Sequence, residues 1–177
     1  MIQAEIKGHR IVVRPFKNDD VDGLQANAND RDVWRNLRDR FPHPYLREDA
    51  WAWIEFARNT RPVSNFCIEI DGECAGGIGL MMQSDIHRKS GEIGYWLAKK
   101  HWGKGIMTHV VTEMTGVFFK NFDVIRIYAM TFAHNIGSAQ VLLKAGYEKE
   151  ACLKRSAIKD GVIYDQFVFA IFSQPDA

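Results

Sequence analysis

The chain has 177 residues, 46% hydrophobic and 25% charged, with a formal net charge of +1. That size and ordinary globular composition predict a single domain, residues 1–177, with a substantial core, and the balanced charge excludes a global field drawing the protein to nucleic acid or a membrane surface. Three cysteines without CxxC spacing fit a reduced compartment better than a disulfide framework.

The start, MIQAEIKGHR, has no positive region followed by an apolar core, so it is not read as a signal peptide. No apolar run approaches the roughly 20 residues of a membrane span. A soluble, cytoplasmic protein is the expectation.

Residues 9–16 (HRIVVRPF) read as a strand ended by Pro15. Asn18 or Asp19 can cap a helix through Val21 and Leu24, and a second short helix is expected over residues 31–37. Two prolines in Phe41-Pro42-His43-Pro44-Tyr45 rule out regular helix there. Ala50, Trp53, Ile54 and Ala57 recur at helical spacing and predict a helix over residues 47–59. Residues 65–70 and 74–82 read as a hairpin around Asp71-Gly72. Residues 91–98 (GEIGYWLA) form the next strand, followed by the glycine-rich segment His101–Thr108, HWGKGIMT. Ile106, Val110, Met114, Val117 and Phe118 then form an apolar stripe. A strand over 124–131, a helix over 138–145 ended at Gly146, and strands over 147–154 and 162–172 around Asp160-Gly161 complete the chain.

Strand, glycine loop and helix start in succession are how a chain presents unpaired backbone N–H groups and a positive dipole end to a phosphate. Neither GxxxxGK[ST] nor GxGxxG is present. Taken alone, Gly103 and Gly105 either cradle an anion or merely shape a turn.

The order of motifs resembles the GNAT superfamily of acyl-CoA-dependent N-acyltransferases. The family loop reads R/Q-x-x-G-x-G/A; here it is Trp102-Gly103-Lys104-Gly105-Ile106-Met107, with Trp102 in place of Arg/Gln and Met107 in place of the small residue. The Trp-Gly-x-Gly form is similar to the ribosomal-protein N-acetyltransferase (RimJ/RimL) branch. Nearly the whole chain takes part: Val13-Arg14-Pro15, Ile93-Gly94-Tyr95-Trp96-Leu97, Arg126-Ile127-Tyr128-Ala129, Asn135-Ile136-Gly137-Ser138, Lys144-Ala145-Gly146-Tyr147, Asp160-Gly161 and Tyr164-Asp165.

The resemblance implies an α/β (α+β) fold: a mixed, mostly antiparallel sheet of about seven strands, splayed between the fourth and fifth, with about four flanking helices. It implies acetyl-CoA as co-substrate. Backbone N–H groups of Gly103, Lys104, Gly105, Ile106, Met107 and Thr108, next to Trp102, would hold the pyrophosphate. The pantetheine arm would run along the strand at Tyr95, Trp96 and Leu97 like an added strand, and one of that strand's N–H groups would polarise the thioester carbonyl. Met107 either points into the core and leaves its amide available, or crowds the phosphate. Asn135 would bond the pantetheine or the splayed backbone; it is also a favoured helix cap.

Acetyl transfer to an amine by direct attack needs a proton removed from the ammonium and, where required, one given to the thiolate. Glu92 is the candidate base, or else an exposed strand-end glutamate. The family's acid tyrosine falls at Leu142 and is missing. Ser138 matches the serine proposed as acid in the ribosomal-protein branch, where it would also lie at the cofactor. A glutamate cited as base there falls near Ala157, which shifts weight to Glu92 or solvent. A cysteine nucleophile has no support, and the six histidines show no metal-binding spacing.

By resemblance, the acceptor mouth is built by the first helices, their connecting loop and the closing hairpin. Trp34, Phe41, His43, Tyr45 and Tyr164 either line it or pack in the core. The expected acceptor is a peptide N-terminus or a small amine, while Asp30, Asp32, Asp39, Glu48 and Asp49 keep a polyamine open. The protein is expected to be a monomer or homodimer. The alternative function is a non-catalytic acyl-CoA-binding module, motivated by Leu142, Ala157 and Met107.

Overall fold

The computed structural model describes residues 2–173. Within them lie eight strands and five helices. In chain order these are β1 (Ile2–Ile6), β2 (His9–Pro15), α1 (Val21–Ala28), α2 (Arg31–Trp34), α3 (Arg47–Asn59), β3 (Asn65–Ile70), β4 (Glu73–Met82), β5 (Ser90–Leu97), α4 (Ile106–Asn121), β6 (Arg126–Phe132), α5 (Ile136–Lys144), β7 (Glu148–Lys159) and β8 (Val162–Phe172). The strand order is β1-β2-β3-β4-β5-β6-β8-β7. The β5–β6 pair is parallel, whereas β1–β2, β2–β3, β3–β4, β6–β8 and β7–β8 are antiparallel.

The chain divides into two compact units. One takes the chain up to Gly79 and returns for Tyr95–Met107; the other takes Leu80–Gly94 and the chain from Thr108 onward.

In the first unit, β1 is the strand that the sequence reading leaves out. It pairs with β2 through a two-residue turn, Lys7-Gly8, both residues at positive φ (52° and 77°), the geometry that matches strand twist in tight hairpins. Asp71-Gly72 makes the same kind of turn between β3 and β4. The core holds Phe16, Val21, Leu24, Tyr45, Ile54, Cys67 and neighbours. The α3 stripe supplies Ala50, Ile54 and Ala57 to it; each large apolar side chain so buried contributes about 1.5–3 kcal/mol.

The start of α1 corrects the expected cap. A 3-10 turn over Asn18–Asp20 comes first, and Asp20, not Asn18 or Asp19, accepts from the Lys17 N–H at 2.7 Å. Asp20 is buried and receives the buried Arg14 guanidinium at 2.6 and 2.8 Å. Losing one partner of such a buried pair costs about 3–5 kcal/mol.

In the second unit, α4 buries Val110, Val111, Met114 and Phe118, and the Thr115 hydroxyl lies 2.8 Å from the Tyr147 hydroxyl. Gly146, at φ 89°, ends α5 in the left-handed conformation, and the Tyr147 N–H closes the end on the Leu142 carbonyl at 3.0 Å. The β7 strand runs on to Lys159, beyond the expected end at 154, across a register shift between Leu153 and Ala157. The parallel β5–β6 ladder covers only Ser90↔Arg126, Gly91↔Ile127 and Glu92↔Tyr128. It stops there, although β6 goes on pairing with β8 as far as Phe132↔Gln166.

Candidate active site

The glycine loop follows the end of β5 through a 3-10 turn over Lys99–His101. The Trp102 indole N–H donates to the Leu97 carbonyl at 2.7 Å. Gly103 and Gly105 stand at φ 71° and 83°, and a Cβ built on either meets no atom within 4 Å. The backbone therefore needs glycine for its conformation, not because a neighbour presses on it, and open space lies where the side chains would be. Ile106 and Met107 are buried (1% and 8% exposed) and hold the first turn of α4 against the core. The Met107 side chain points inward, the reading that leaves its amide available. The first N–H groups of α4 have no acceptor within the helix. The loop thus has the space, the donors and the dipole that a pyrophosphate requires.

Three residues that sequence reasoning missed surround the loop. Lys104 Nζ lies 3.1 Å from His9 Nε2, and His9 Nδ1 lies 2.7 Å from an Asp71 carboxylate oxygen. In the tautomer that carries its proton on Nδ1, His9 donates to Asp71 and accepts from Lys104 at Nε2. Asp71 is held below the usual carboxylate range first by this bond and then by the Arg10 N–H. His101 packs edge-on to His9, with ring centroids 5.4 Å apart. It is buried and, among the described residues, its Nδ1 has no hydrogen-bond partner. Desolvation, then the charges of Lys104 and Lys100, push its pKa below 6.5.

Two aromatic groups stand out, one in each unit. In the first, Trp34 lies 5.5 Å from His43, and Phe41 lies 4.9 Å from Tyr45 and 5.7 Å from Trp96 between ring centroids. Tyr45 is 4% exposed and belongs to the core; it backs Phe41 instead of facing solvent, and burial pushes its pKa well up. Trp96 of β5 packs against β4: a Cβ on Gly77 would meet its Nε1 at 3.0 Å, and one on Gly76 its carbonyl oxygen at 2.6 Å. In the second unit, Tyr164 packs on His134 at 4.6 Å and on Phe132 at 5.5 Å.

Glu92 is half-buried at the last rung of the β5–β6 ladder, opposite Tyr128. Asn135 caps α5, its Oδ1 accepting from the Ser138 N–H at 3.1 Å. Leu142, at the family's tyrosine position, is fully buried.

A cleft of about 790 Å³ bounded by Phe16, Trp51, Glu55, Arg58 and Arg61 contains none of the expected site residues. Among the described residues, one group brings three ligand-type atoms within 4.8 Å: Asp20, Cys67 and Cys74. Arg14 already occupies both oxygens of Asp20, and the Cys74 contact and burial raise the Cys67 thiol, so a cation there would have to displace a guanidinium.

The model of the acetyltransferase (GNAT) domain family matches residues 10–148. The chain is 30% identical to the probable N-acetyltransferase YjcK of Bacillus subtilis (strain 168), over 97% of this chain and 98% of that one. It is 29% identical to the ribosomal-protein-serine acetyltransferase of Escherichia coli (strain K12), over 46% of each chain. Among solved structures it resembles Mycobacterium smegmatis RimJ in complex with CoA-disulfide, with TM-score 0.81 and 25% identity over 97% of this chain and 86% of that one. Glycine loop, strand order and family match agree: the chain belongs to the GNAT family of acetyltransferases.

Proposed function

We propose that this protein is a single-domain enzyme that moves the acetyl group of acetyl-CoA to a primary amine by direct attack, the acceptor being a peptide N-terminus or a small amine. The glycine loop carries this reading. Gly103 and Gly105 keep open space above a helix start whose side chains turn into the core, and the ladder that ends at Glu92 leaves the rest of β5 without a β6 partner.

In this reading the N–H groups from Gly103 through Thr108 bind the pyrophosphate, and Trp102 braces the loop on Leu97. Tyr95, Trp96 and Leu97 offer main-chain partners to the pantetheine, and a β5 N–H polarises the thioester carbonyl. Glu92 takes the ammonium proton, directly or through water, before the amine attacks. Asn135 fixes the start of α5 through the Ser138 N–H, and the Ser138 hydroxyl orients water or the leaving sulfur. Because Leu142 offers no hydroxyl, the thiolate leaves with little help from a protein acid. Trp34 and Phe41, with Tyr45 behind Phe41, are assigned to acceptor binding, as is Tyr164 in the other unit.

Calorimetry with CoA, followed by thiol release with acetyl-CoA and a panel of amines, tests the proposal. Binding with amine-dependent release is expected. Absence of CoA binding overturns it; binding without release on any amine favours the non-catalytic module, the reading that the buried Leu142 supports.

A further inference from the structure

The acceptor side carries a charge pattern that its composition hides. Residues 30–49 hold five acids and five arginines, which looks neutral. Four of the five acids, however, are engaged within the protein. Asp30 caps α2, accepting from the Asp32 and Val33 N–H groups at 2.7 and 3.3 Å. Asp32 is held by Lys99 at 2.7 Å and Arg35 at 3.3 Å, and the Lys99 bond lowers its pKa. Asp49 accepts from the Leu46 N–H at 2.8 Å. Asp39 has a partner of its own, and Glu48 sits in the first turn of α3, where the helix dipole favours its charge.

The arginines are less fully answered. Arg47 pairs with Asp22, and Arg31 and Arg38 have partners. Arg35 shares Asp32 with the closer Lys99, and 58% of its side chain is exposed. Arg40 is exposed and, among the described residues, makes no hydrogen bond or ion pair. It immediately precedes Phe41, the ring that touches Trp96 of β5. Cations beside half-buried aromatic rings, with four of the five nearby carboxylates engaged, attract an anion and repel a polycation.

We propose that the acceptor amine is carried by an anionic molecule, with a carboxylate or phosphate near the amine, that Arg35 and Arg40 recognise that anion, and that polyamines are excluded. The proposal rests on the acetyl-transfer reading and on the aromatic arm as acceptor mouth.

The test compares acetyl-CoA thiol release on four acceptors: an acidic peptide with an N-terminal serine, its lysine-substituted counterpart, free glutamate, and spermidine. The acidic peptide or glutamate is expected to exceed both cationic amines at least ~10-fold in kcat/KM, with the preference shrinking as salt rises. Which of the two anionic acceptors leads identifies peptide or small amine as the source. Arg40→Glu and Arg35→Glu, both exposed changes, should abolish the preference through KM while CoA affinity holds; Arg40→Gln should give a smaller effect in the same direction. Best turnover of spermidine or the basic peptide overturns the inference, as does an unchanged preference in both reversals. Calorimetry of the acidic peptide without donor separates the two readings: peptide binding lost in Arg40→Glu supports the inference even if acetyl-CoA is not turned over, and failure of the peptide and glutamate both to bind and to react sinks it even if CoA binds.

Discussion

The indole N–H of Trp102 donates to the main-chain carbonyl of Leu97 at 2.7 Å, bracing the glycine loop against the last residue of β5. Trp102 is 44% exposed, so the core does not depend on it. Trp102→Phe keeps the ring and removes the donor. The loss of about 1 kcal/mol for one such bond falls on the folded loop and predicts a melting temperature lower by about 2–4 °C, with CoA binding by calorimetry weakened by up to roughly fivefold because the loop must be ordered on binding.

Gly105→Val should act more strongly. A β-branched residue at φ 83° carries about 1–3 kcal/mol of backbone strain, and its side chain fills the space where an anion would approach. CoA affinity is expected to fall at least ~10-fold while far-UV circular dichroism stays native. Retained affinity would remove the loop from the donor site.

The two glycines under Trp96 predict different outcomes. A Cβ on Gly76 meets the Trp96 carbonyl oxygen at 2.6 Å, a main-chain atom that cannot step aside. Gly76→Ala is expected to destabilise by about 1–3 kcal/mol, seen as a lower melting temperature. A Cβ on Gly77 meets the indole nitrogen at 3.0 Å, and a side chain can move. Gly77→Ala should shift Trp96 against Phe41 and raise acceptor KM, with near-normal stability and CoA affinity.

His101 sets a pH dependence of stability. Burial and the neighbouring lysines hold its folded pKa below 6.5, so the unfolded chain takes up this proton more readily than the fold. The contribution is complete above that value and is lost as pH falls below it. Melting temperature should therefore drop between about pH 7.5 and 5.5, and His101→Gln should flatten that drop. Parallel curves for the two proteins would place the acid sensitivity elsewhere.

Glu92→Gln tests the base. The rate on a good acceptor should fall most at low pH, where the amine is most fully protonated, with CoA binding intact. An unaltered pH–rate profile would pass the role to solvent.

Much of the fold is written locally in the sequence. The α3 stripe repeats over a long enough stretch for its observed range, Arg47–Asn59, to coincide with the expected one. The glycine turns at Asp71-Gly72 and Asp160-Gly161 lie where their residue types put them. Local patterns failed where two kinds of turn compete: α2 stops at Trp34 because the next N–H groups, of Asn36 and Leu37, bond three residues back instead of four. They failed again at β1, whose short alternation of Ile2, Ala4 and Ile6 carries little apolar mass. The glycine loop was legible because its chemistry lies in consecutive residues. The His9 contacts to Asp71 and Lys104 join positions 62 and 95 residues apart, and no spacing rule relates them. The pairing of Asp32 was hidden for the same reason: its partner Lys99 lies 67 residues away.

The Asp71–His9–Lys104 chain also bears on when the loop acquires its shape. Contacts this distant in sequence form late, because the intervening chain must first be ordered. The β2 strand and the β3–β4 turn therefore have to be in place before Lys104 finds His9. Lys104→Met is then expected to speed unfolding and leave the folding rate nearly unchanged, the signature of an interaction made after the transition state. The loop proposed to hold the donor would be among the last parts of the molecule to set during folding and among the first to loosen.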